Sequence, residues 1–170
     1  MILKGVGAVC IIISCLGFGM MISCHHKKEV RSLRCLINAL CFMENELQFR
    51  MPALPDLCRQ TAAECKGSIR NLFLNLSDEL DNQISPDVKH CMDLALYRTS
   101  DIPNETKKCL LMLGSGIGRF DLTGQLRTLE SVRKECSEKL EKLLVNSDNR
   151  LRSYQTLGLC GGTALIILLL

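Results

Sequence analysis

The chain has 170 residues, 47% hydrophobic and 23% charged, which excludes a disordered or collagen-like polymer and leaves room for one domain of ordinary size. Aromatic residues are only 4% and tryptophan is absent, so the apolar share rests on Leu, Ile, Met, Cys and Ala. With few β-branched residues in the middle and no sustained apolar-polar alternation, the pattern argues against a sandwich or barrel, and a net charge of +3 is too small to imply nucleic-acid binding.

Gly5 to Ser23 carries no charge, and as a helix it would run about 28 Å, one hydrocarbon core. Residues 1–24 are therefore expected as an N-terminal transmembrane helix. Lys27, Lys28, Arg31 and Arg34 follow it, against Lys4 alone before it, which puts the following region on the cytoplasmic side. Met21-Ile22-Ser23-Cys24 loosely resembles a lipoprotein cleavage box. Cleavage there would leave a lipid-anchored extracytoplasmic helical binding protein, an alternative that the basic cluster just after Cys24 opposes.

From Val30 to Phe49, Leu33, Leu36, Ile37, Leu40, Met43 and Leu47 recur at three-and-four spacing, so the first segment can run on as one long helix until Pro52 and Pro55 stop it. A second helix is expected from Pro55-Asp56 to about Cys65. Ser68 is a candidate cap for a third, with Ile69, Leu72, Phe73, Leu76 and Leu80 on one face. Ser85-Pro86 opens a fourth, carrying Val88, Cys91, Met92 and Ala95. After Ile102-Pro103, Asn104 to Leu113 reads as helix and runs into Gly114-Ser115-Gly116-Ile117-Gly118. Asp121 is a candidate N-cap for a long last helix bearing Leu122, Leu126, Leu129, Val132, Cys136, Leu140, Leu143 and Leu144, with alternating charge from Arg127 to Lys142 on a solvated face.

Residues 25–155 therefore read as an all-α antiparallel bundle of about five or six helices. Leu157 to Leu170 is again uncharged but would reach only about 21 Å, so residues 156–170 are expected as a C-terminal hydrophobic membrane segment, preceded by Arg150 and Arg152. Between Cys35 and Asn149 there are 14 basic and 17 acidic residues, so the overall positive charge belongs to the two collars beside the apolar ends.

The eleven cysteines cannot all pair, and no two are spaced as CxxC, so they read as small buried hydrophobes in a reduced compartment. His25 and His26 are adjacent and would point about 100° apart on a helix, and with Lys27 and Lys28 they look like an interfacial collar. The Gly114–Gly118 stretch lacks the Gly-Lys-Ser/Thr of a phosphate loop and follows no strand; glycines here are expected as a helix C-cap and a close helix-to-helix turn. No nucleophile has an evident base, and the carboxylate pairs Glu44/Glu46 and Asp78/Asp81 are expected on surface helices. No catalytic, cofactor-binding or metal-ligating residue is expected, and the chain is not expected to be an enzyme.

The turn region Leu113-Gly114-x-x-Ile117-Gly118-x-x-Asp121-x-x-x-Gln125 resembles the signature of the stage III sporulation protein AB family, LGxxLGxxDxxxQ. Glu44-x-Glu46-Leu47-x-Phe49, then Leu54-Pro55-Asp56 and the tail Leu157-Gly158-Leu159-x-Gly161-Gly162, match the family in order. The chain departs from it at Arg50, where Gly is common, at Ile117, where Leu is common, and in lacking a Trp near Met92. The resemblance implies a helical cytoplasmic domain similar to that of the platform protein of type II secretion systems, in a channel complex joining mother cell and forespore. It implies membrane lipid, a secretion-type ATPase (stage III sporulation protein AA) and other channel subunits as partners, is compatible with a homo-oligomer, and includes no nucleic acid and no cofactor. It places the chain in the mother-cell membrane facing the forespore, and it singles out Gly114 and Gly118 for close helix approach, Asp121 as cap and Gln125 facing the turn.

Overall fold

The computed structural model describes the backbone of residues 2–82, 87–118 and 121–169, and the side chains of residues 26–82, 87–118 and 121–145. Six helices follow in order, α1 (Ile2–Phe49), α2 (Leu54–Glu64), α3 (Gly67–Asp81), α4 (Val88–Arg98), α5 (Asn104–Gly116) and α6 (Leu122–Leu169), and the described residues contain no strand. The chain divides into two compact units, Glu29–Glu141 and the paired ends Met1–Lys28 with Lys142–Leu170.

Among the described residues no helix is long and apolar enough to cross a membrane. The side chains of the two segments expected in the membrane, residues 1–24 and 156–170, lie outside those residues. In the unit formed by the ends, the His26 ring places Nε2 3.0 Å from the Leu143 carbonyl oxygen.

The larger unit is a helical bundle in which α2 packs on α3, α3 on α4 and α4 on α5. Its core is the set of faces that the periodicity marks out. Leu33, Leu36, Leu40, Met43 and Leu47 of α1 are buried with Leu72, Phe73 and Leu76 of α3, Cys91, Met92 and Ala95 of α4, and Leu129, Val132 and Cys136 of α6. Each fully buried large side chain contributes roughly 1.5–3 kcal/mol by leaving water, which the few aromatics do not limit because Leu supplies the area.

The helix starts differ from the sequence reading in three places. α2 begins at Leu54, one residue earlier, with Pro55 in the first turn where its missing N–H costs nothing. α3 begins at Gly67 without a side-chain cap, so Ser68 is inside the helix and not its cap. α4 begins at Val88, where Asp87 accepts the Lys89 N–H at 3.2 Å; Ser85 and Pro86 lie outside the described residues. α5 has no cap of its own either, but the Glu29 carboxylate of α1 accepts the Glu105 N–H at 3.4 Å.

Of the carboxylates expected on surface helices, Asp78 and Asp81 are exposed, whereas Glu44 and Glu46 are half-buried. Glu44 of α1 accepts from Arg133 Nε of α6 at 3.0 Å, and Asp81 of α3 pairs with Arg59 of α2. Glu79, which the periodicity does not mark, is buried on α3 with 1% of its side chain exposed and is neutralised by Arg98 of α4. Loss of Arg98 would leave that buried carboxylate without its cation, which is strongly destabilising.

Candidate interaction site at the signature turn

The residues of the signature turn converge where α5 ends and α6 begins. α5 continues through Gly114 and Gly116, so these two are helical residues of the last turn and not the cap; Ile117 closes the helix, its N–H bonded to the Leu113 carbonyl at 3.0 Å. Gly118 then takes φ +78, the left-handed conformation that lets the chain leave the helix.

Each glycine also removes a side chain from a crowded place. A Cβ on Gly114 would stand 2.7 Å from Cβ of Met92, and one on Gly118 would stand 2.6 Å from Cγ2 of Val88, both on α4. Gly116, part of the expected glycine turn but not singled out with Gly114 and Gly118, faces α6 in the same way: a Cβ there would meet Thr128 Cγ2 at 2.4 Å. Its signal was a third glycine in the same helical turn. α5 is thus held close to α4 by one glycine and close to α6 by another.

Asp121 precedes α6 and accepts the Gly124 N–H on its side chain at 3.1 Å, while its carbonyl accepts the Gln125 N–H at 2.9 Å. This satisfies donors that a helix start otherwise leaves unpaired. One turn on, Gln125 and Leu122 face an open cleft of about 250 Å³, which Gly118 also lines.

The opposite wall comes from the end of α1 and its exit. Leu47, Met51, Pro52 and Leu54 line it, so the cleft joins two sequence regions seventy residues apart that the signature alone did not connect. Met51 of this wall is 63% exposed, and Phe49, two residues earlier and outside the lining, is 80% exposed. Met51 adopts φ +48, a conformation that L side chains rarely take and that costs roughly 1–2 kcal/mol. Its N–H bonds back to the Glu46 carbonyl at 3.1 Å, ending α1 in the way a glycine usually does. Met51 thus presents an exposed apolar side chain, held in a left-handed conformation, at one wall of the cleft. No group of acidic, histidine or cysteine side chains suited to a metal ion occurs among the described residues.

The family model for stage III sporulation protein AB matches residues 4–170. The chain belongs to the stage III sporulation protein AB family. A solved structure titled stage III sporulation protein AB is 20% identical, with a TM-score of 0.63, covering 72% of this chain and 98% of its own. At that identity the likeness speaks for the fold, which it shares. No curated protein matched the sequence. In this chain Gly114, Gly118, Asp121 and Gln125 lie between the last turn of α5 and the first turn of α6, and membership makes the chain a sporulation protein.

Proposed function

We propose that this protein is a membrane-anchored scaffold of the mother cell–forespore channel complex, and that it couples to a secretion-type ATPase through its helical domain without catalysing a reaction itself. The family match over residues 4–170 carries the reading. The uncharged runs at 5–23 and 157–170, with basic collars on their inner sides, support anchoring at both ends with residues 25–155 in the cytoplasm. The docking surface in this reading is the cleft between Met51, Leu54, Gly118 and Gln125, together with the exposed Phe49 two residues before Met51, since exposed apolar and aromatic side chains next to a concavity are where a partner gains most from excluding water.

The test is co-purification of the tagged full-length chain with the secretion-type ATPase from membranes of sporulating cells. Wild type should retain the ATPase. Met51→Gly should lose most of it while leaving the fold intact, because glycine relieves the left-handed strain as it removes the apolar rim. An absent ATPase together with normal spore yield on deletion would refute the proposal.

A further inference from the structure

The chain has 7 methionines, and the side chains of Met43, Met51, Met92 and Met112 lie among the described residues. Met43 and Met92 are sealed in the core at 1% and 0% exposure, whereas Met51 is 63% exposed and Met112 45%. A thioether is apolar yet readily oxidised, and a dissolved oxidant reaches it only where solvent does. Exposure therefore separates two oxidisable methionines from two protected ones.

Met51 and Met112 differ in what surrounds them. Met51 lines the cleft with Leu47, Pro52, Leu54 and Leu122, and Gln125 supplies the one polar side chain of that lining. Met112 lies on α5 and is not among the cleft residues. The Met51 backbone is also tied in place: its N–H and that of Arg50 both bond to the Glu46 carbonyl, at 3.1 and 2.9 Å, and Pro52 follows with its φ fixed by the ring. An anchored turn therefore presents the thioether, and a change in its polarity changes the cleft wall.

Resting on the reading of this cleft as the ATPase-docking surface, we propose that Met51 is a reversible sulfoxidation site, oxidised by a hydroperoxide, and that the sulfoxide turns docking off. The sulfur lone pair attacks the terminal peroxide oxygen, an S–O bond forms and the O–O bond breaks. The departing oxygen takes the proton of the transferred hydroxyl, which leaves a neutral sulfoxide and, from hydrogen peroxide, one water. Two electrons pass from the sulfur to the peroxide. A dithiol-dependent sulfoxide reductase reverses the step: the S–O bond breaks, the oxygen leaves as water and the dithiol becomes a disulfide. The sulfoxide keeps the side chain's length and adds a strong hydrogen-bond acceptor. A partner that covers this apolar wall must then bury that acceptor, and one left unpaired weakens binding about 5- to 100-fold.

The full-length chain purified in detergent is treated with hydrogen peroxide, the excess is destroyed with catalase, and its peptides are analysed by mass spectrometry. Addition of a single oxygen is expected at Met51 and Met112, with Met43 and Met92 unmodified, and methionine sulfoxide reductase with dithiothreitol should restore Met51. Binding to the secretion-type ATPase, measured before and after treatment, should fall about 5- to 100-fold in wild type and equally in Met112→Leu. In Met51→Leu, which keeps every cysteine, the ratio of binding before and after peroxide should stay near one. Met51 left unoxidised in treated wild type would overturn the site itself, whether or not the ATPase docks. Binding that survives oxidation of Met51, or an equal fall in Met51→Leu, would overturn the switch and leave the docking reading in place. No binding by untreated wild type would overturn the docking reading and the switch with it.

Discussion

Gly114 of α5 lies so close to Met92 of α4 that a Cβ at residue 114 would stand 2.7 Å from the Met92 Cβ and 2.9 Å from its Cγ. The Met92 Cβ is fixed to the backbone, so no change of rotamer moves it away. Gly114→Ala would gain about 1 kcal/mol in helix propensity, yet overpacking of a closed contact costs about 1–3 kcal/mol. The expected net effect is a loss of up to about 2 kcal/mol, measured as a lower denaturation midpoint of the full-length chain. An unchanged or higher midpoint would show that α4 and α5 separate without cost.

Gly118 and Gly67 form a natural comparison. Both have positive φ, at +78 and +63, but a Cβ at Gly118 meets Val88 at 2.6 Å whereas one at Gly67 meets nothing within 4 Å. Gly67→Ala should cost only the left-handed backbone penalty of about 1–2 kcal/mol. Gly118→Ala should cost about 1–3 kcal/mol more, because the steric conflict with Val88 is added to the same penalty. Parallel urea titrations of the two variants give the difference directly, and equal losses would mean that the Val88 contact is not closed.

Glu105 lies at the start of α5, where Lys108 hydrogen-bonds to it and Lys139 of α6 stands 3.4 Å from its carboxylate. The Lys108 hydrogen bond is the main cause that holds this carboxyl below its usual value of 4.5, with Lys139 adding to it against a smaller desolvation effect. A carboxyl with a depressed folded value stabilises the fold above its unfolded value and loses that contribution as pH falls through the folded one. The Tm difference between wild type and Glu105→Gln should therefore be present at pH 6 and shrink steadily below pH 4.5. The effect is modest because the carboxylate is one-third exposed and screened. A difference that grows on acidification would contradict the assignment.

How far the molecule was legible follows from which interactions are local. Helix faces such as Leu33-Leu36-Leu40-Met43 and Ile69-Leu72-Phe73-Leu76 are periodic, and periodicity is a property of the sequence alone, so these residues were found where they are buried. Asp121 was legible as a cap for the same reason: its acceptor serves Gly124, three residues away. Ser68 had equally good cap chemistry, but α3 starts at Gly67 because the two-residue connection from α2 turns there at positive φ. The cleft was illegible because its walls, Met51 to Leu54 and Gly118 to Gln125, meet only through tertiary packing. The same holds for Glu79 with Arg98. Burial of the small thiols Cys58, Cys65, Cys91, Cys109 and Cys136 was foreseeable from their apolar character.

The central claim is that the α1 exit, with the cleft at Met51 and the exposed Phe49 two residues before it, docks a secretion-type ATPase. Phe49 is 80% exposed and so accepts a photoreactive phenylalanine analogue without disturbing the core, and Tyr97, 91% exposed on α4 and not among the cleft residues, serves as the control position. Irradiation of sporulating cells carrying the full-length chain should give a covalent adduct with the ATPase from position 49 and none from position 97. No ATPase adduct from position 49, or equal adducts from both positions, would contradict the account.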